Sequence, residues 1–437
     1  MSMLDITPGD ALIDVPRRIS VQGLAPDEVI TLRSRTVRGP GVMWHAQARY
    51  RADARGTVDL SRDAPLDGSY AGISPMGLIW SQSPEQDGSP REVFHTEACA
   101  PLTTELQLLR GADIAARSTL VQRLRVEGVQ REDIREDGLV GTLYTPATPG
   151  PHPAVMILNG SGGGINEPRA ALYASHGYAA FALGYFKAPG LSDYISDTHL
   201  EYFERGLQWL HQRVRPLHGF VALSGQSRGG ELVLLLGSLL PELVSAVIGY
   251  VPGAVVHCAQ NACNPATGRD GPAWWWRGQP LPHLWENNRN ATWEPWDNGP
   301  EPRRHTQAIL TGLQDADAVE RARIRVEQIQ GPVLLLSGQD DGSWPSSLYG
   351  RMVEERLQQF DHPWPVERYD YEEAGHSILF PYVPTTQLIY RHPVSGRLST
   401  TGGSPAVNAG ADADSWQRVR AFLERAVAAR AAERSHG

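Results

Sequence analysis

A serine between two glycines constrains the fold of this chain more than any other feature. Ser227 is the centre of Gly225-Gln226-Ser227-Arg228-Gly229, which follows an apolar run at residues 220–223 and precedes a helical pattern at residues 231–240. Glycine two residues before and two residues after the serine lets neighbouring backbone approach without a clash with a Cβ atom. With a strand before it and a helix after it, this G-x-S-x-G pattern predicts a sharp turn that presents Ser227 at its apex.

Strand and helix patterns alternate on both sides of that turn, from about residue 119 onward. Helical periodicity is clearest at residues 199–214, where apolar side chains recur on one face. Such alternation predicts a mostly parallel sheet that helices cover on both faces. The predicted strands are residues 119–126, 139–144, 154–158, 178–183, 220–223, 246–251, 332–336 and 365–371. The predicted helices are residues 168–176, 199–214, 231–240, 347–360 and 414–430.

The first 115 or so residues have a different pattern. Short β-rich segments are separated by stretches rich in Gly, Pro and Asp, which are typical of turns. Strands of this length and spacing predict an all-β sandwich domain at residues 1–118, ahead of an α/β domain at residues 119–437. The predicted strands are residues 11–21, 28–37, 42–52, 57–60, 78–83 and 102–109.

Two acidic residues and a histidine follow later predicted strands. Asp340 and Asp341 come shortly after residues 332–336, and His376 comes shortly after residues 365–371. Parallel strands end at the same edge of a sheet, so these side chains are expected on the edge that carries Ser227. A serine hydroxyl is a poor nucleophile and needs a base that an acid orients. We therefore predict Ser227 as nucleophile and His376 as base, with Asp341 favoured over its neighbour Asp340 as the acid.

Acyl transfer also requires hydrogen-bond donors for a developing oxyanion. The backbone N–H of Arg228, at the start of the helix after the serine, is one candidate. The glycine-rich loop after residues 154–158 is expected to supply the second from Gly160, Ser161 or Gly162. That loop lacks the lysine and the glycine spacing of phosphate-binding loops, so an oxyanion loop is the better interpretation.

Half of the 12 tryptophans lie in one stretch between the predicted nucleophile and the predicted acid. Trp274, Trp275 and Trp276 begin it, and Trp285, Trp293 and Trp296 follow. Folds of this kind commonly insert a lid there, and we predict one at about residues 254–315. Indole rings offer large apolar surfaces with one N–H donor each. Trp274, Trp275 and Trp276 are therefore candidates for an acyl-binding wall, and packing within a small lid core or at an interface is the alternative.

Neither a metal nor another cofactor is expected. His257, Cys258 and Cys263 form a small cluster, but a zinc site needs further ligands at ordinary spacing. Three cysteines in 437 residues do not make a disulfide framework, so a reducing compartment is expected.

Composition excludes several classes of function. A net charge of −9 without runs of Lys or Arg argues against nucleic-acid binding. The sequence has no apolar run of about 20 residues, so no transmembrane segment is expected. A signal-peptide pattern is not recognisable either, and the expected location is the cytoplasm. The oligomeric state is left open.

Three motifs together resemble one family. Asn159-Gly160-Ser161-Gly162-Gly163-Gly164 precedes Ser224-Gly225-Gln226-Ser227-Arg228-Gly229-Gly230-Glu231, and Gly375-His376-Ser377-Ile378-Leu379-Phe380-Pro381-Tyr382 comes last. These resemble the hydrolase domain of the acyl-CoA thioesterase and bile acid-CoA:amino acid N-acyltransferase family. Residues 61–70 and 75–80 resemble the β-sandwich signature of the same family.

The resemblance implies an α/β-hydrolase fold preceded by an immunoglobulin-like β-sandwich. It places the nucleophile on Ser227, the acid on Asp341 and the base on His376. Serine at the nucleophile position is similar to the family's thioesterases, whereas its conjugating members use cysteine there. The expected activity is hydrolysis of an acyl thioester, with acyl-CoA as a candidate substrate. Transfer of the acyl group to an amine or alcohol, and hydrolysis of an ester or peptide-like metabolite, are the alternatives.

Overall fold

The computed structural model describes residues 3–86, 88, 91–392 and 396–436. The chain forms two compact units, which are described separately. The first comprises Met1–Val126, Leu379–Leu388 and Ser404–Trp416, and the second comprises Glu127–Ile378, Ile389–Gly403 and Gln417–Gly437.

The first unit is built from two β-sheets. Strands β1, β3 and β6 form one sheet, and the second has the order β2-β10-β9-β4-β5-β7 with β8 paired to β5. Pairing is antiparallel except between β2 and β10. The bounds are β1 Met3–Thr7, β2 Asp10–Leu12, β3 Arg18–Gln22, β4 Val29–Arg38, β5 Val42–Arg51, β6 Val58–Asp59, β7 Asp67–Gly68, β8 Ser83–Pro84, β9 Leu102–Arg110 and β10 Asp113–Arg123, with a short helix α1 at Gly77–Trp80.

Both sheets contribute to one apolar core. Val21 from the first sheet and Leu32, Ala46 and Leu108 from the second are fully or almost fully buried in it. Alternate residues of β4 and β5 point into this core, because successive side chains of a strand face opposite sides. The prediction of an all-β N-terminal domain is therefore confirmed.

Local predictions differ from the structure at three places in this unit. The strand predicted at residues 78–83 is wrong, because the apolar residues Gly77–Trp80 form one helical turn, α1. A short apolar run does not separate strand from buried helix. The segment at residues 11–21 contains two strands, β2 and β3, rather than one. Strand β10 crosses the boundary predicted at residue 118, and the first unit continues to Val126 because β10 pairs with β9 along its length.

The second unit contains an eight-stranded sheet with the order β11-β12-β14-β13-β16-β17-β20-β21. The pairs β11–β12 and β12–β14 are antiparallel, and every later pair is parallel. The strand bounds are β11 Gln130–Ile134, β12 Val140–Thr145, β13 Ala154–Leu158, β14 Ala179–Gly184, β15 Thr198–His199, β16 Val221–Gln226, β17 Ala246–Tyr250, β18 Trp274–Trp276, β19 Gln279–Pro280, β20 Val333–Gly338, β21 Val366–Tyr371, β22 Ile389–Arg391 and β23 Leu398–Thr400.

Every residue of β13, β14, β17 and β20 is buried, so both faces of the sheet are covered there. Helices α2 and α3 pack against β14, α4 packs against β16 and β17, and α8 packs against β20 and β21. The helix bounds are α2 Glu167–Ser175, α3 Glu201–Val214, α4 Arg228–Leu239, α5 Glu294–Asp297, α6 Thr306–Gly312, α7 Ala316–Ala322 and α8 Ser346–Gln359. The last helix, α9 Pro405–His436, belongs to the first unit as far as Trp416 and to the second unit from Gln417.

Strand register brings the functional loops to one edge of this sheet. Leu158 pairs with Gly225, Gln226 pairs with Tyr250, and Gly338 pairs with Tyr371, so these parallel strands end together. A central strand that turns sharply into α4 within such a sheet is the arrangement of an α/β-hydrolase. The predicted fold class is therefore confirmed.

The segment at residues 254–315, predicted as a lid, contains only short elements. Strand β18 pairs with β15 and β19 in a small three-stranded sheet, and α5 and α6 follow. Nowhere in the described ranges is a helix both long enough and apolar enough to cross a bilayer.

Candidate active site

Ser227 occupies the sharp turn between β16 and α4 that the sequence predicts. Its backbone angles are φ 57° and ψ −119°, a combination that non-glycine residues rarely adopt and that costs roughly 1–3 kcal/mol. A Cβ atom at Gly225 would overlap the carbonyl of Gly229, and one at Gly229 would overlap the carbonyl of Leu158. Both glycines are therefore required by the close approach of backbone on either side of the serine.

A continuous hydrogen-bond chain joins the three predicted catalytic side chains. Ser227 Oγ lies 2.9 Å from His376 Nε2, and His376 Nδ1 lies 2.8 Å from Asp341 Oδ2. The backbone N–H of His376 donates to the carbonyl of Thr401 at 2.8 Å, which anchors the histidine loop. With Nδ1–H directed at a carboxylate, Nε2 presents its lone pair to the serine hydroxyl, as a general base requires.

Asp341 is held by four donors. Its Oδ1 accepts from the backbone N–H groups of Ser343 at 2.8 Å and Trp344 at 3.1 Å. Its Oδ2 accepts from Ser346 Oγ at 2.6 Å as well as from His376. The Asp341 side chain is 2% exposed, so these hydrogen bonds fix the orientation of the carboxylate without competition from water.

Asp340, the alternative acid, points elsewhere. Its Oδ1 accepts from Arg304 at 2.8 Å, and its Oδ2 accepts from the backbone N–H of Gly403 at 2.8 Å. The structure therefore brings Asp341 rather than Asp340 to the imidazole.

The predicted oxyanion donors do not all lie beside Ser227. Arg228 is the first residue of α4, so its N–H has no acceptor within the helix. Gly160 lies against the nucleophile, since a Cβ built on it would be 3.1 Å from Ser227 Cβ and 3.7 Å from the Arg228 nitrogen. Ser161 and Gly162 are exposed on the turn beyond it. Arg228 and Gly160 are thus the two that the fold brings together beside Ser227.

Sequence reasoning missed a buried polar cluster behind the nucleophile. The Arg228 side chain turns inward and lies 3.3 Å from Glu231 Oε2. Glu231 also accepts from His257 Nδ1 at 2.8 Å and from Trp274 Nε1 at 2.7 Å. The other ring nitrogen of His257 lies 2.8 Å from the hydroxyl of Tyr349. Glu231 and His257 are both completely buried.

The pKa shifts in this cluster have clear physical causes. Burial alone would raise the pKa of Glu231, but Arg228, His257 and Trp274 outweigh it, so the pKa lies below its ordinary value. Burial lowers the pKa of His257 despite the neighbouring carboxylate. The cluster therefore contains an ionised Glu231 opposite Arg228 and a neutral His257. The sequence did contain a signal for this cluster. Glu231 is the one acidic residue of the apolar helix predicted at residues 231–240, and an acid in such a helix is expected to be buried and to have a partner.

Two further residues of this site had no recognisable sequence signal. Ser346 supplies the fourth donor to Asp341, and Trp344 lies edge-on to the His376 ring at 6.2 Å. Trp344 also packs on His257 at 4.8 Å, so it lies between the predicted base and the buried cluster.

The three tryptophans predicted to bind substrate differ in environment. Trp274 is completely buried and bonded to Glu231, so it packs behind the nucleophile helix. Trp275 donates to Asp197 at 2.9 Å and stacks on His199 at 5.7 Å. Trp276 is half-buried, with the Arg277 guanidinium 4.1 Å from its ring centre.

Comparison with known proteins identifies relatives of both units. The family model "BAAT / Acyl-CoA thioester hydrolase C terminal" matches residues 198–429, and "Acyl-CoA thioester hydrolase/BAAT N-terminal region" matches residues 14–136. Among solved structures, Pyrococcus horikoshii acylaminoacyl peptidase aligns over 97% of this chain and 69% of that chain, at 12% identity and a TM-score of 0.42.

Curated relatives match over nearly the whole chain. Acyl-coenzyme A thioesterase 1 of Homo sapiens is 34% identical, covering 94% of this chain and 93% of that protein. Acyl-coenzyme A thioesterase 6 of Homo sapiens is 32% identical, with the same two coverages. The mitochondrial acyl-coenzyme A thioesterase 2 of Homo sapiens is 33% identical, covering 94% and 81%. The chain is therefore an α/β-hydrolase enzyme that belongs to the acyl-CoA thioester hydrolase/BAAT family, as its motifs predict.

Proposed function

We propose that this enzyme hydrolyses an acyl thioester of the acyl-CoA type through Ser227, His376 and Asp341. The observation that carries the proposal is the hydrogen-bond chain from Ser227 Oγ through His376 to Asp341, with separations of 2.9 and 2.8 Å. The names of the curated relatives support acyl-CoA as the substrate class.

In the first half-reaction Ser227 Oγ attacks the thioester carbonyl carbon while His376 Nε2 takes the hydroxyl proton. Asp341 keeps the imidazole in the required tautomer and stabilises the imidazolium. The backbone N–H groups of Arg228 and the Gly160 loop donate to the oxyanion. Collapse of the tetrahedral intermediate breaks the C–S bond, His376 returns the proton to the thiolate, and the free thiol leaves an acyl-Ser227 ester.

In the second half-reaction a water molecule replaces the thiol. His376 Nε2 takes a proton from the water as its oxygen attacks the acyl carbon. The same donors hold the second oxyanion, and His376 then protonates Ser227 Oγ as the ester bond breaks. The products are a carboxylic acid and the regenerated enzyme. The same acyl-enzyme would accept an amine or alcohol in place of water, so the acceptor is a separate experimental question.

The acyl-binding role is assigned to Trp275 and Trp276 and withdrawn from Trp274. Complete burial and a hydrogen bond to Glu231 support a packing role for Trp274. If Trp275 and Trp276 form part of an acyl wall, replacing either with Ala changes the ratio of kcat/KM values for long and short acyl-CoAs. An unchanged ratio in both variants would assign them to packing as well.

The decisive experiment measures thiol release from a panel of acyl-CoAs by wild type and Ser227→Ala. We expect loss of at least about 10³-fold in kcat for the variant, with an unchanged circular dichroism spectrum. Ser238→Ala is the matched control, because Ser238 also lies on α4 but bonds only to the Leu235 carbonyl. Intact-protein mass spectrometry should detect an acyl adduct on wild type and none on Ser227→Ala. Wild-type turnover by Ser227→Ala would overturn the proposal, and adding amines or alcohols to the assay separates transfer from hydrolysis.

A further inference from the structure

Lys187 is the only lysine in the 437-residue sequence, in which every other Lys or Arg position holds arginine. It follows the carboxyl end of β14, on the sheet edge that also carries Ser227. The one lysine side chain of the sequence therefore lies on the functional edge of the second unit.

The backbone around Lys187 packs directly against the Gly160 loop. The N–H of Gly164 donates to the carbonyl of Phe186 at 2.9 Å. A Cβ atom built on Gly163 would lie 2.9 Å from Lys187 Cβ. Lys187 itself adopts φ 49°, in the left-handed region that glycine and asparagine occupy more readily. The backbone conformation at this position is therefore less favourable for lysine than for glycine or asparagine.

The Lys187 side chain is exposed. Within residues 3–86, 88, 91–392 and 396–436 it makes no hydrogen bond or ion pair, and it lies 6.0 Å from the centre of the Phe186 ring. Burial, together with the charges of Lys187 and Arg397, lowers the pKa of the nearby His392 to about 4. His392 is therefore neutral, and Lys187 presents an uncompensated positive charge at this edge.

The distance to Ser227 suits a phosphorylated carrier. Lys187 contacts Gly163, and Gly163 is one turn away from Gly160, which lies beside Ser227. Adding the length of a lysine side chain gives a separation on the order of 10–20 Å between the ammonium and the serine hydroxyl. The pantetheine arm of coenzyme A has the length of about four extended residues, roughly 14 Å, between its sulfur and its diphosphate. Lysine binds phosphate as a point charge, without the planar geometry that arginine imposes.

We propose that Lys187 is a substrate-binding residue that contacts a phosphate group of the coenzyme A carrier. The proposal rests on the proposed function, since it assumes a coenzyme A thioester at Ser227. In this proposal Lys187 binds the coenzyme A leaving group. It neither contacts the acyl group nor takes part in the bond-making and bond-breaking steps.

Lys187→Asn is the appropriate variant, because asparagine tolerates the left-handed conformation and removes the charge. We expect unchanged or slightly higher thermal stability, about 10-fold higher KM for the preferred acyl-CoA and unchanged kcat. The thioester of the same acyl group with N-acetylcysteamine, which has no phosphate, should show the same kinetics with both proteins. Free coenzyme A should inhibit the variant about 10-fold more weakly, and Lys187→Arg should retain most of the affinity.

Arg215→Asn is a matched control. Arg215 is also exposed and left-handed, at φ 50°, and it ends α3 before the chain enters the amino end of β16. This variant loses the same charge at the other edge of the sheet, so its KM for acyl-CoA should equal that of wild type.

Two results would overturn the assignment: an unchanged KM of Lys187→Asn for acyl-CoA, or equal losses with acyl-CoA and the N-acetylcysteamine thioester. Failure of the proposed function is distinguishable, because wild type would then hydrolyse no acyl-CoA or Ser227→Ala would stay active.

Discussion

The hydroxyl of Ser346 donates a hydrogen bond of 2.6 Å to Asp341 Oδ2. The same oxygen accepts from His376 Nδ1, so the helix that starts at Ser346 sets the position of the predicted acid. Ser346 is completely buried, and water has no access to replace its hydroxyl.

Replacing Ser346 with Ala should lower kcat about 10-fold and leave KM nearly unchanged. Asp341 Oδ2 would keep only the histidine as a donor, and a lost buried hydrogen bond to a charged group costs about 1.5–3 kcal/mol. Ser347→Ala is the control, because the neighbouring hydroxyl bonds to Asp370 at 2.8 Å instead. Steady-state kinetics with an acyl-CoA would compare the two variants. Equal kcat values for Ser346→Ala and Ser347→Ala would show that Ser346 does not position the acid.

Asn substitutions of the adjacent acids should have very different effects. Asp341→Asn removes the carboxylate from His376 and is expected to lower kcat about 10⁴-fold. Asp340→Asn breaks contacts with Arg304 and Gly403 and should lower kcat less than about 10-fold. Rates of labelling by a fluorophosphonate probe should follow the same order. Faster labelling of Asp341→Asn than of Asp340→Asn would assign the acid to Asp340.

Glu231→Gln should destabilise the enzyme by about 3 kcal/mol. The change removes the charge opposite the buried Arg228 and leaves the guanidinium without compensation. Urea unfolding followed by tryptophan fluorescence would measure the difference.

The double variant Arg228→Met, Glu231→Gln tests the cause of that loss. With both charges absent no buried ion is left unpaired, so we expect the double variant to be more stable than Glu231→Gln. A double variant less stable than either single variant would show that packing, rather than charge, dominates the cluster.

Asp297 should make stability depend on acid pH. Hydrogen bonds from Arg269 lower the pKa of Asp297 to about 2, and Arg397 contributes as well. The folded pKa lies below the ordinary value of 3.8, so this stabilisation is present above about pH 4 and is lost as the pH falls toward 2. We expect wild type to exceed Asp297→Asn by about 2 kcal/mol in unfolding free energy at pH 7.

That difference should shrink steadily between pH 4 and pH 2.5 in urea titrations. Asp317→Asn is the control, since the Asp317 side chain is 74% exposed and its ion pair is with Arg289, which is also exposed. A difference between wild type and Asp297→Asn that is independent of pH would contradict the charge-based explanation.

Long periodic segments were predictable because their signals are local. The amphipathic pattern at residues 199–214 corresponds to α3 at Glu201–Val214, and the apolar run at residues 154–158 is β13. The last helix was predicted from residue 414, whereas it starts at Pro405, because its first turns lack a clear apolar stripe. Short elements such as α1 and β18 were missed or misassigned, since a few residues carry too little periodicity.

Local sequence patterns were sufficient to identify the α/β-hydrolase fold, the family, and Ser227 and His376 as candidate nucleophile and base. Glycines around a strand-to-helix turn and a histidine after a late strand are local signals that survive without knowledge of packing. The identity of the candidate acid, in contrast, depends on tertiary packing. Asp340 and Asp341 share the same local context, and only the packing of α8 turns one of them toward an imidazole.

The inward direction of Arg228, the burial of Trp274 and the exposure of Lys187 likewise depend on contacts between segments far apart in sequence. Ser227 and His376 themselves are 149 residues apart. A sequence pattern reports the preference of a segment for helix, strand or turn, whereas the direction of a side chain depends on the space and charge that distant segments leave for it.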